Sequence, residues 1–148
     1  MKTLAALATC LLALSGCQDS EEQRLLTIAE AAKKSIAANY KDPDSVLFKN
    51  LTLDWNKKHI CGELNAKNGF GGYIGYDVFR AELKGAGAQT SIASMWTIRD
   101  RLNQIFDDSM TGRITEYEAG KARLNVIFES TCTDADSSKS PIFIPVKI

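Results

Sequence analysis

The chain has 148 residues with 18 basic and 18 acidic side chains, one histidine and 45% hydrophobic residues. Charge so evenly balanced, with both signs interspersed, removes the electrostatic reason for a nucleic-acid partner or for a general affinity to anionic lipid. No stretch reaches the roughly 20 apolar residues of a membrane-crossing helix, and the length suits one ordinary domain.

Met1 and Lys2 form a short positive start, and Thr3 to Leu14 an uncharged apolar run. The run falls within the about 7 to 15 residues of a secretory signal core. Ser15 and Gly16 are small, as an extended cleavage segment requires, and Cys17 follows them. A plain cleaved signal with an incidental cysteine, or a buried N-terminal helix, is the unadorned reading. Leu14-Ser15-Gly16-Cys17 resembles the lipobox of bacterial lipoproteins. The resemblance implies that residues 1–16 are a signal peptide, that Cys17 receives a diacylglycerol thioether, and that its freed amino group is acylated. Each buried methylene contributes about 0.8 kcal/mol and two or more chains hold a protein stably, so the implied partner is the membrane itself, through lipid on Cys17. Gln18 stands where the family commonly carries an inner-membrane retention aspartate, which implies the periplasmic face of the outer membrane; Asp19, one position on, points the other way. Of 148 residues, loss of the first 16 leaves 132, with 17 basic side chains against 18 acidic ones.

Ser20, with Gln23 three residues on, is a capping-box start. Leu25, Ile28, Ala29, Ala32, Ile36 and Tyr40 then recur at helical spacing, which predicts an amphipathic helix packed on the domain. Only three residues separate it from Cys17, a reach of about 10 Å, so the domain is expected to ride close to the bilayer. Lys41-Asp42-Pro43-Asp44-Ser45 ends the helix. Leu47, Leu51, Leu53 and Trp55 predict a first strand, Asn56-Lys57-Lys58 a turn, His59 to Asn65 a second strand, and Asn65 to Gly69 a polar loop. Tyr73 to Leu83 reads as a third strand, with Ile74, Tyr76 and Val78 on one face and Phe79 and Ala81 on the other. Gly85-Ala86-Gly87 breaks it and Thr90 to Met95 returns as a fourth strand. Ile98, Leu102, Ile105 and Phe106 mark a helix over 97–110. Thr115 with Glu118 opens another, running to Leu124 despite a costly Gly120. Val126, Phe128, Ser130 and Cys132 alternate as a strand, 133–140 is an exposed loop, and Ile142, Ile144, Val146 and Ile148 alternate as a last strand that Pro145 confines to an edge. The expected fold is α+β: a single domain over 17–148 with an N-terminal amphipathic helix and an antiparallel sheet of four to six strands, helices packed on one face.

Once Cys10 leaves with the signal and Cys17 is lipidated, Cys61 and Cys132 are the two thiols left in an oxidising compartment, and a disulfide is expected. Closing a loop of roughly 70 residues contributes on the order of 4 kcal/mol in the chain-entropy model. A reactive thiol at Cys61 and a metal site are the alternatives.

The segment Cys61-Gly62-Glu63-Leu64-Asn65-Ala66-Lys67-Asn68-Gly69-Phe70-Gly71-Gly72-Tyr73-Ile74-Gly75-Tyr76, with Lys41 to Ser45 and Phe48, resembles a pattern in small exported or lipid-anchored bacterial proteins of uncharacterised function, some of them phage-associated. The resemblance covers about residues 40–80 and brings no catalytic residues. Physically, its glycines allow bulges and close approach. Asn65, Lys67, Asn68, Phe70, Tyr73 and Tyr76 make a candidate binding surface of polar and aromatic groups. A twisted hairpin packed through Phe70, Tyr73 and Tyr76 is the alternative. The glycine spacing fits neither a dinucleotide loop nor a Walker motif.

His59 and Cys61 share a strand face, but a nucleophilic dyad needs a free thiolate, and two ligands fall short of a zinc site. Asp134-x-Asp136-x-Ser138 begins like a calcium loop, with Lys139 where glycine belongs and Pro145 where glutamate belongs. No catalytic motif appears, and no cofactor or metal is expected. The expected function is a non-enzymatic binding or structural module of the bacterial envelope, acting on an envelope protein or the cell wall. Two alternatives stand beside it: a protective, exclusion or immunity lipoprotein of a phage or mobile element, and a small envelope hydrolase with unidentified carboxylates.

Overall fold

A computed structural model describes residues 20–133 and 139–144. The signal segment and Cys17, the calcium-like positions Asp134, Asp136 and Ser138, and Pro145 with the end of the expected last strand lie outside the described residues.

Helix α1 spans Glu21–Ala37. Ser20 Oγ accepts from Gln23 N at 3.2 Å, and Glu21 and Glu22 sit in the first turn, where their charge complements the unsatisfied N–H groups. Its buried face is Ala29, Ala32, Ile36 and Ala37. Asn39 closes the far end, its amide donating to Ser35 O at 3.0 Å, and Pro43 opens a single 3-10 turn, Pro43–Ser45.

Among the described residues five strands follow: β1 Leu47–Leu53, β2 His59–Asn65, β3 Asp77–Lys84, β4 Ser91–Thr97 and β5 Ile142–Phe143. They form one sheet in the order β4-β3-β2-β1-β5, every pair antiparallel. The α+β architecture expected from the sequence is thus present, with β5 on an edge. Ile60 pairs with Leu53 and Ala81; with Leu51, Leu64 and Phe79 they bury against Ala29, Ala32 and Ile36 of α1 as the main core. Because strand side chains alternate faces, Cys61 and its cross-strand partner Arg80 point to the other side.

That second side is met by a helical hairpin, α2 Ile98–Met110 and α3 Glu116–Glu129. The two helices share a small core of Ile105, Ala119 and Val126 with Trp96, Ile98, Ile114 and Ala122. Among the described residues α1 therefore holds one face and the hairpin end returns to the opposite one, so the helices do not share a single face as the sequence led us to expect: Trp96 and Cys61 alternate away from the α1-facing core and draw the hairpin to their side.

Two local expectations are corrected. Val126, Phe128, Ser130 and Cys132 are not a strand: α3 runs on to Glu129, because the Thr115–Glu118 capping box starts it firmly and Ala119, Ala122 and Val126, at steps of three and four residues, carry its packed face past Leu124. β3 begins at Asp77 rather than Tyr73, since positive φ at Gly71 and Gly75 interrupts extended pairing before it.

Candidate functional site

The β1–β2 turn and the start of α1 meet at one end of the sheet, where Lys57 pairs with Glu21. The other end, about 20 Å away along seven-residue strands, carries residues 65–76. There the chain makes a tight loop. Lys67 and Tyr73 form an isolated antiparallel bridge. Asn68 N donates to Gly72 O at 2.8 Å and Gly71 N to Asn68 O at 3.0 Å. The Asn68 side chain stitches the interior, its Oδ1 accepting from Phe70 N at 3.0 Å and Gly72 N at 3.1 Å. Gly71, at φ +84°, supplies a left-handed position that a side chain would resist. The product is a rigid tip with Phe70 projecting from it, 101% exposed.

Below the tip, Tyr73 is half exposed and anchored, its hydroxyl donating to Ser45 O at 2.9 Å. Lys67 Nζ lies 3.2 Å from Asp42 Oδ2 and 5.6 Å from the Tyr73 ring centroid. Lys49 Nζ sits 4.0 Å from the Tyr76 ring centroid and 3.0 Å from Glu63 Oε2. Both cations thus bridge a carboxylate and an aromatic face. The hydrogen bond from Lys67, chiefly, holds the Asp42 carboxyl below the ordinary range. That from the Asn50 amide, then that from Lys49, does the same for Glu63. Ile74 and Leu47 add exposed apolar surface nearby.

Of the residues expected to form a binding surface, Phe70, Tyr73, Tyr76 and Lys67 come together here. Asn65 does not join them: it is buried, its Oδ1 without a hydrogen-bond partner among the described residues. Asn68 spends its oxygen on the loop, so its contribution is architectural. Asp42, Ser45 and Lys49 were missed as site residues because each approaches from an element distant in sequence. The bulge at Lys49/Thr52 that carries Asn50 at φ 54° leaves no clear trace in composition.

Elsewhere, Cys61 and Cys132 are joined by a disulfide, both 1% exposed, which leaves no thiolate beside His59. His59 instead donates from Nδ1 to Asp54 Oδ2 at 2.8 Å. The Asp54 carboxylate is 2% exposed and also accepts from Lys58 N at 2.7 Å and His59 N at 3.0 Å, so it organises the β1–β2 turn. A groove of about 640 Å³ runs beside α1, over Leu26, Phe48, Leu51 and Ile144; Glu30, the carboxylate on its rim, is paired with Lys33 at 3.0 Å. Among the described residues, no cluster of three or more His, Cys, Asp or Glu is placed to hold a metal, and no helix is long and apolar enough to cross a membrane. No protein-family model, no curated protein and no solved structure matches this chain.

Proposed function

We propose that this chain is a lipid-anchored protein of the bacterial envelope, tethered through Cys17, that works as a non-enzymatic binding module. Its contact surface is the tip at 69–73 with Tyr76 and Lys67. The observation that carries the reading is Phe70, fully exposed on a loop that the Asn68 side chain closes by accepting from Phe70 N and Gly72 N. Leaving an aromatic ring in water forgoes about 1.5–3 kcal/mol of burial, a cost that a partner-binding residue recovers on contact. Orientation supports the same reading. α1 starts at Glu21, with three residues between it and Cys17, and beside the β1–β2 turn, so an anchor at Cys17 leaves the Phe70 tip at the end of the sheet farther from the bilayer. The partner is then an envelope protein or the cell wall rather than lipid, and outer-membrane placement follows from Gln18.

The test has two arms in intact cells. Cys17→Ala should move the protein to the soluble fraction and abolish lipid labelling. Phe70→Ala, with the anchor intact, should remove a crosslink formed from a photoreactive group at Tyr76 without changing fractionation. Membrane retention of the Cys17 variant would overturn the anchor, and an unchanged crosslink in the Phe70 variant would overturn the tip.

A further inference from the structure

We propose that the outer face of α3 pairs in parallel with the α3 of a second copy of this chain. Tyr117, Gly120, Leu124 and Ile127 follow one another at steps of three, four and three residues, the seam of a two-stranded coiled coil. This seam faces away from α2, since Ala119 and Val126 are the positions buried on the hairpin core. Tyr117 is 81% exposed, Leu124 63%, Ile127 56% and the adjoining Phe128 75%. A helix that buries one face on its own domain and leaves a second apolar face in water has an unused contact surface.

The area matches what a dimer requires. At about 200 Å² for a large side chain, those four exposures amount to about 550 Å². Two copies would bury about 1,100 Å², above the roughly 1,000 Å² expected of a specific interface.

Charge selects the partner and the direction. Glu116 flanks the seam at the position preceding Tyr117, and Lys121 flanks its other side at the position following Gly120. In a parallel pair the first of these lies opposite the second on the facing helix, five residues on, so two such contacts form by symmetry. Neither residue takes part in an ion pair among the described residues. An antiparallel pair would instead bring the two Lys121 side chains together. Gly120 completes the fit: a Cβ there would meet nothing within 4 Å. Its cost to the helix of about 1 kcal/mol is offset where a facing backbone approaches closely.

The experiment uses the full chain in cell membranes, with Tyr117 replaced by photoreactive benzoylphenylalanine. Irradiation should give a product of twice the chain mass containing only this chain. Leu124→Glu should lower its yield at least about tenfold, since a central contact becomes a buried unpaired charge. Glu116→Lys and Lys121→Glu should each weaken the crosslink alone and restore it when the two variants are co-expressed, because the mixed pair regains opposite charges. Far-ultraviolet circular dichroism and a urea midpoint matching the parent show that each purified variant is folded. A monomer-sized product, a lipid adduct, an adduct to another protein, or failure of the mixed pair to recover overturns the proposal.

Discussion

Replacing both bridged cysteines, Cys61→Ala with Cys132→Ala, should release the helical hairpin before the sheet unfolds. The bond spans 71 positions, and the chain-entropy relation for a loop of that length gives about 4.4 kcal/mol. Both sulfurs are buried, so the alanine pair leaves two small gaps rather than new charge. What else ties the end of α3 to the sheet is slight: Arg80 Nη1 donates to Glu129 O at 2.6 Å, worth about 1.5–3 kcal/mol as a charged hydrogen bond and less where it is exposed. The sheet, by contrast, keeps the whole α1-facing core. The loss should therefore fall first on α2 and α3. Of the two tryptophans, Trp96 packs on the hairpin core and Trp55 sits exposed at the β1–β2 turn, so a Trp55→Phe background makes fluorescence report on the hairpin alone. Urea unfolding followed by Trp96 fluorescence should then precede loss of sheet circular dichroism, while the disulfide-bonded parent shows coincident curves. A double variant whose two probes still coincide, with stability lowered by less than about 1 kcal/mol, would refute the reasoning.

Three further outcomes follow from the geometry. Gly62→Ala should destabilise by about 1–3 kcal/mol in urea titration, because its Cβ would meet Leu51 Cδ2 at 2.7 Å and Lys49 O at 3.0 Å, and the latter is backbone of the β1 bulge; an unchanged midpoint would mean the bulge yields. Asp54→Ala should cost about 2 kcal/mol by stripping three donors of their acceptor in the β1–β2 turn, read as faster amide exchange at Lys58 and His59. Asp42 and Glu63 have carboxyls held below their ordinary values, so their contribution is complete above the unfolded value of about 4 and is lost as pH falls through the lower folded values. Tyr73 and Tyr76 ring resonances should accordingly stay fixed from neutral pH to about 5 and shift only below about 4; movement above that range would contradict the pairing with Lys67 and Lys49.

Elements with local signals were legible from residue order: α1 from Ser20 and its apolar stripe, β2 to the residue, the second helix from Thr97, and the aromatic character of 70–76. Only with the lipobox resemblance, which would remove Cys10 and occupy Cys17, did Cys61 and Cys132 become the expected pair; their disulfide is seen in the fold. The sequence misread 126–132, since four residues that alternate in type suggest a strand although in a helix they fall on opposite sides, and only the packing of Ala119, Ala122 and Val126 against α2 decides between them. Likewise the glycine segment announced a bend, yet which side chains it would present was settled by contacts far apart in the chain. Asp42 captures Lys67, Ser45 anchors Tyr73, and the β1 bulge turns Lys49 onto Tyr76. Residue type and spacing encode backbone preference, which acts over a few residues. Exposure of Phe70, burial of Asn65 and the bare outer seam of α3 depend on which surfaces the folded sheet brings together, and that is a property of the packed whole.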